Sequence, residues 1–191
     1  MTGRTHDLAG FTALTLVAVT QPLQEISLPT LLVAISANFV GALAPDIDQS
    51  TATLWHRFRG GSVVGRLITP LLGGHRYISH SILGIFLFGA VTGKILELMN
   101  TFLLVDMQIV WWAFMIGFLS HLLMDTLTRD GVPWLFPIPI NFGVPPLRFL
   151  RMKTGGLLEK SFIFPGLLMV NIYFIYTNYA KFLDFFKHYL K

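Results

Sequence analysis

The sequence predicts an all-α, multi-pass helical membrane protein, and three observations carry that prediction. Of its 191 residues, 53% are hydrophobic and 13% charged, where a soluble domain carries about 25% charged residues. Mean hydropathy is +0.64, so more apolar surface is present than a soluble fold of this length hides. Long apolar runs recur from one end of the chain to the other, several approaching the ~20 residues that a helical crossing needs. The expectation is a single integral membrane domain over residues 1–191, with four or five transmembrane segments and two long cytoplasmic loops.

The segments follow in order. Residues 8–20 form the first and residues 28–44 the second, separated by a turn at Pro22 and stopped at Pro45. Both are short for a full crossing and suit a tilted or shallow hairpin. Residues 81–99 form the third. Residues 110–124 form the fourth, which opens on Trp111 and Trp112 as an interfacial anchor does. Residues 162–179 form the fifth, with Tyr173, Tyr176 and Tyr179 as an aromatic belt. Residues 8–19 do not read as a cleavable signal peptide, because no small-residue cleavage site follows them. Residues 51–58 suggest a short surface helix with Trp55 and Phe58 dipping into the membrane. Residues 132–146, rich in proline and aromatics, suggest an irregular segment folded back on the membrane face.

Charge sets the orientation. Arg57, Arg59, Arg66 and Arg76 lie in the stretch 46–80, and Arg129, Arg148, Arg151, Lys153 and Lys160 in the stretch 126–160. The positive-inside rule places both stretches and the N-terminus in the cytoplasm. Five crossings would leave the C-terminus outside, which Lys181, Lys187 and Lys191 oppose, so the last segment is a candidate for an interfacial or re-entrant course. The net charge of +4 is read as topology rather than nucleic-acid binding, and no specific nucleic acid is expected.

The chain has no cysteine. That excludes a disulfide framework, thiolate metal sites and a cysteine nucleophile. Any metal must be held by His, Asp or Glu. Those residues are patterned. His6 precedes the first segment, Asp46 and Asp48 follow the second, His75 and His80 precede the third, and His121 and Asp125 end the fourth. An alternating topology brings all of these helix ends to one side. His121 and Asp125 stand one turn apart on a shared helix face. Clustered carboxylates without basic partners repel unless a cation relieves them. Imidazole with carboxylate and no sulfur suits a divalent metal, Zn²⁺ first.

Each residue has a plainer reading. His6 is a polar residue near the N-terminus, Asp46 and Asp48 stop a helix, and His75 and Arg76 face headgroups. His80, or equally Ser79 or Ser81, caps a helix, and His121 with Asp125 forms a buried pair. The agreement of four helix ends favours the metal site. His56 and His188 fall outside the pattern and read as surface residues. Glu159 reads as a ligand, a base, or half of a surface pair with Lys160, the last slightly favoured.

At these residues the sequence resembles the YdjM-like family of inner-membrane proteins, described as membrane-bound metal-dependent hydrolases. The matching pieces are Thr5-His6-x-x-x-Gly10, Pro45-Asp46-Ile47-Asp48, His75-Arg76-x-x-Ser79-His80-Ser81, and His121-x-x-x-Asp125-x-x-Thr128-x-x-Gly131. No single piece is specific, whereas the ordered set is. That family is distantly similar to the zinc phospholipase C and P1 nuclease group, whose His-x-x-x-Asp pair His121 and Asp125 match. That group's N-terminal Trp and its later His-x-x-x-Glu pair are absent here, Glu159 being at best a partial substitute for the pair. The resemblance implies a bacterial or archaeal cytoplasmic (inner) membrane and a hydrolase with a His/Asp metal site at the cytoplasmic membrane face, acting on phosphoesters such as lipids. Arg76 or Arg129 would stabilise the developing anion, and Asp46 or Asp48 would act as base. The alternative is a non-enzymatic protein or transporter with a metal- or proton-binding site. Membrane lipids are the expected partners.

Overall fold

A computed structural model describes residues 1–21, 26–49, 51–56, 59, 61–71, 77–138 and 140–189. Among them the chain is mostly helical, without a β-strand and with the isolated β-bridges Thr128–Met152 and Val132–Phe142. The helices are α1 (Gly3–Thr20), α2 (Leu28–Leu43), α3 (Thr53–His56), α4 (Gly61–Leu71), α5 (Ile82–Met99), α6 (Met107–Thr126), α7 (Phe164–Thr177) and α8 (Tyr179–Tyr189). A 3₁₀ turn, Ala44–Asp48, extends α2, and a π-turn, Glu159–Ile163, leads into α7.

Helix ends are set by local chemistry. Ser27 accepts from the Thr30 amide and starts α2, with a proline in its first turn. Ser81 accepts from the Gly84 amide and starts α5, so the cap of this helix is Ser81 and not His80. Asp106 accepts from the amides of Gln108 and Ile109 and starts α6. Thr128 donates to the Asp125 carbonyl at the end of α6, and Gly131 turns the chain away at φ +67°.

Among the described residues, four helical stretches are long and apolar enough to cross a membrane: Leu28–Asp48, Ile82–Met99, Met107–Thr126 and Glu159–Thr177. The chain is therefore an all-α, multi-pass membrane protein. Helix α1 carries Arg4 and Asp7 and falls outside these four. It packs instead against α2, α6 and α7 with Thr5, His6 and Thr15 buried.

The centre of the bundle is the crossing of α2 and α6. A side chain on Gly41 would meet the Phe114 carbonyl, and one on Gly117 the Asn38 carbonyl. The backbones therefore approach as closely as membrane helices with small residues at their interface do. Asn38 Nδ2 donates to the Ala113 carbonyl at 2.9 Å across this contact. Phe114, Phe118 and Leu122 form the core on the other side of α6, against Phe88 of α5. Trp111 Nε1 donates to the Gly89 carbonyl at 2.8 Å, fixing α5 to α6. Helix α7 touches the bundle through α1, where Asn171 Nδ2 donates to Thr12 Oγ1 at 2.6 Å, and most of its length is exposed.

Three expectations are corrected. The stretch 46–80 is not simply a loop, since it holds α3 and α4. Trp55 does not dip outward: it is buried against Gly65 of α4, and its Nε1 donates to the Ile47 carbonyl at 3.2 Å. Phe58 lies outside the described residues. The last apolar segment ends at Thr177, and in α8, which follows, Lys181 Nζ donates to the carbonyls of Ala18, Val19 and Gln21 at the end of α1.

Candidate metal centre

Helix geometry brings the ionisable residues to one end of the bundle. His6 comes from the first turn of α1, Asp46 and Asp48 from the 3₁₀ turn after α2, His80 from the residue before the α5 cap, and His121 with Asp125 from the last turns of α6. His6, Asp48, His80 and His121 are fully buried and Asp125 nearly so, while Asp46 is 22% exposed.

The imidazole rings are oriented from behind. His121 Nδ1 lies 2.7 Å from the Ala42 carbonyl oxygen. A carbonyl only accepts, so Nδ1 carries the proton and Nε2 the lone pair. Nε2 is buried and has no hydrogen-bond partner among the described residues. His80 Nδ1 lies 3.3 Å from Asp48 Oδ2 and 3.0 Å from Ser79 Oγ, and Ser79 Oγ donates to the same Asp48 oxygen at 2.5 Å. This is the carboxylate–histidine arrangement that leaves the far nitrogen for a metal. His6 stacks on His121, ring centroids 3.7 Å apart and 11° from parallel.

The nitrogens presented in this way face carboxylates. His121 Nε2 is 3.5 Å from Asp46 Oδ1 and 3.9 Å from Asp125 Oδ2. His80 Nε2 is 3.6 Å from Asp46 Oδ1 and 4.0 Å from Asp125 Oδ2. His6 Nε2 is 3.2 Å from Asp125 Oδ1, on which the Met1 amino group also rests. Four of these spacings exceed a hydrogen bond, ~2.7–3.2 Å. Donor atoms sharing one tetrahedral zinc at ~2.0–2.2 Å stand about 3.4 Å apart. The spread fits atoms grouped around a common point better than it fits direct pairing. Among the described residues, two sets gather within 4.8 Å: His6, Asp46 and His121, and His80, His121 and Asp125. His121 belongs to both.

Electrostatics point the same way. Buried carboxylates and imidazoles at this density are costly without a compensating cation. Burial opposes the imidazolium of His80, but the hydrogen bonds and charges of Asp46 and Asp48 outweigh it and raise its pKa above the ordinary 6.5.

Of the residues the sequence nominated, His6, Asp46, His80, His121 and Asp125 converge. Asp48 sits behind His80, on the Nδ1 side, and belongs to neither set of grouped donors. His75 and Arg76 lie outside the described residues. Arg129 is exposed and lines a surface cleft with Asp130, Asn141, Arg148 and Arg151. Glu159 is a correction. It is buried and makes no surface pair with Lys160. Its carboxylate accepts from the Thr2 amide, Thr2 Oγ1, Thr5 Oγ1 and the Gly155 amide at 2.6–2.8 Å. It therefore ties the start of α1, and with it His6, to the start of the last crossing. The Ala42 carbonyl carries no sequence signal of its own, and the motif that contains Ser79 does not say that its hydroxyl bridges His80 and Asp48. Every residue has a carbonyl, and only the fold decides which one faces an imidazole.

The family described as YdjM inner membrane protein matches residues 1–182. The chain is 30% identical over 176 residues to the uncharacterized protein YvsG of Bacillus subtilis (strain 168), covering 92% of this chain and 95% of that one. It is 33% identical over 119 residues to the inner membrane protein YdjM of Escherichia coli (strain K12), covering 62% of this chain and 55% of that protein. The YdjM of Shigella flexneri matches to the same extent. No solved structure matches the chain.

Proposed function

The chain belongs to the YdjM inner membrane protein family, and on that footing we propose that it is a membrane-bound, metal-dependent hydrolase. His6, Asp46, His80, His121 and Asp125 hold the metal, with zinc the first candidate for this sulfur-free donor set. The carrying observation is His121. Its Nδ1 is committed to the Ala42 carbonyl, and its buried Nε2 faces two carboxylates beyond hydrogen-bonding distance.

A divalent cation in this place supplies a Lewis acid and a water acidified toward neutral pH. The protein does the rest. Asp48 and Ser79 hold His80 in one tautomer, and Glu159 holds the helix that carries His6. Asp46 is the most exposed of the grouped ligands, so it stands where substrate and water arrive and is the candidate proton acceptor. Arg76, four residues before His80, is the candidate partner for a developing anion. The site lies at the end of a membrane bundle, which favours a phosphoester substrate at headgroup depth, such as a lipid. The His-x-x-x-Asp spacing of His121 and Asp125 supports phosphoester chemistry through its similarity to the zinc phospholipase C and P1 nuclease group. The basic residues of the stretch 126–160 support a cytoplasmic position for this end.

The test is metal analysis of the purified protein, with hydrolysis assayed on a panel of phosphoesters. Stoichiometric metal in wild type, lost in His121→Ala together with hydrolysis, is the expected result. No bound metal in either protein refutes the reading. Bound metal without hydrolysis, together with metal or proton flux into proteoliposomes that Asp125→Asn abolishes, assigns the site to transport instead.

A further inference from the structure

The segment between α6 and the last crossing is ordered and turned inside out. Val132 is fully buried in the core beside Phe118 and Leu122. Val132 and Phe142 exchange both backbone hydrogen bonds, at 2.8 and 2.9 Å. The Arg129 amide donates to the Met152 carbonyl, the Met152 amide to the Leu127 carbonyl, and the Val144 amide to the Thr126 carbonyl. Arg151, itself nearly buried, donates to the carbonyls of Pro145 and Pro146. The Ile82 amide donates to the Trp134 carbonyl, which lays the segment over the start of α5. The segment is thus pinned at both ends and braced in the middle.

What this frame displays is apolar. Ile138, Ile140, Val144, Leu147, Phe149 and Leu150 all point outward, Phe149 with 73% of its surface exposed. A loop in water would turn such side chains inward, and this many exposed apolar side chains in one short segment mark a contact surface. Many of its backbone amides and carbonyls are already paired internally, so immersion in hydrocarbon leaves few of them stranded. Beside the patch runs a cleft of about 270 Å³ lined by Arg129, Asp130, Asn141, Arg148 and Arg151. Arg129 and Arg148 are exposed, and Asp130 is the one acidic residue in that lining.

We propose that residues 133–138 and 140–150 form a shelf inserted into the bilayer leaflet at the metal-site end, with Arg129 and Arg148 binding the phosphate of anionic lipid headgroups. The occupant follows from position and charge. The segment joins two membrane-crossing helices on the side where their ends meet the headgroups, so the leaflet is already beside it. A basic cleft next to an apolar shelf matches the order of layers in a leaflet of anionic lipid. A second copy of the chain meeting this face by two-fold symmetry would bring arginine against arginine. The shelf concerns binding only and does not depend on the proposed hydrolysis.

The cysteine-free sequence permits a clean test. Single nitroxide labels go on Phe149→Cys and Ile140→Cys in the full chain, reconstituted in mixed phosphatidylglycerol and phosphatidylcholine vesicles. Collisions are measured with dissolved oxygen and with a water-soluble nickel chelate. Labels that favour oxygen are expected. Labels that favour nickel overturn the proposal, as do labels shielded from both, which signal a protein contact. A second arm measures phosphatidylglycerol over phosphatidylcholine retained after detergent extraction. The Arg129→Gln/Arg148→Gln variant should lose that preference by roughly fivefold per charge removed. An unchanged preference, or one that inorganic phosphate abolishes, sinks the headgroup assignment.

Discussion

The Nδ1 of His121 lies 2.7 Å from the carbonyl oxygen of Ala42, so a backbone atom of α2 fixes the tautomer of a side chain on α6. That carbonyl lies in the last turn of α2, just before the 3₁₀ turn that carries Asp46. Orientation of the imidazole and delivery of the carboxylate are therefore one structural event, and it depends on how closely the two helices approach.

Widening that approach should dismantle the site. Gly117→Leu sets a branched side chain against the Asn38 carbonyl, and overpacking of this kind costs about 1–3 kcal/mol. A lower unfolding midpoint in detergent is expected, together with loss of bound metal although every ligand is intact. Full metal content in a folded Gly117→Leu protein would contradict the coupling.

Ligand and orienting carboxylates should separate quantitatively. Asp125→Asn removes a donor and should abolish tight binding. Asp48→Asn removes only the group behind His80 and should weaken metal affinity by roughly 10–100-fold, recoverable with excess metal. Competition titration against a chelating dye gives both values. Equal losses would place Asp48 among the ligands.

Metal affinity should fall as pH falls, and early. The His80 pKa is raised above 6.5 by Asp46 and Asp48, which outweigh its burial. A protonated imidazole has no lone pair to give. Binding is therefore full at alkaline pH and declines as pH drops through a window that opens above 6.5. Zinc titrations between about pH 8 and pH 6 read this directly. A flat profile over that range excludes His80 as a ligand, and Asp48→Asn should move the decline to lower pH.

Glu159 should matter without touching metal. Glu159→Ala leaves the Thr2 and Gly155 amides and the Thr5 hydroxyl without their acceptor, at roughly 1–3 kcal/mol for a buried unsatisfied group. The expected pattern is weaker metal binding in the wild-type background and no further loss in a His6→Ala background. Additive losses in the double variant would show that the carboxylate does not act through His6.

The membrane character, the limits of α2, α5 and α6 to within a few residues, and the grouping of His6, Asp46, His80, His121 and Asp125 at one end were legible in the linear chain. Hydropathy and caps are local, and alternating helix directions follow from counting crossings. Helix α4 was not legible, because its apolar face is short and its arginine and glycines read as loop. Glu159 was misread as a surface acid, because its neighbour Lys160 is adjacent in sequence while its partners Thr2 and Thr5 lie at the far end of the chain.

The sequence by itself determined which residue types were available, that sulfur had no part, and that the imidazoles and carboxylates would gather at one end of the bundle. Only the tertiary structure decided which nitrogen of each ring faces the others, that Asp48 stands behind His80 rather than beside it, and that Glu159 anchors α1. The physical reason is that hydrophobic periodicity fixes an element's length and direction, whereas a tautomer or a hydrogen-bond partner is set by packing distances of a few tenths of an ångström between segments that the chain order keeps far apart.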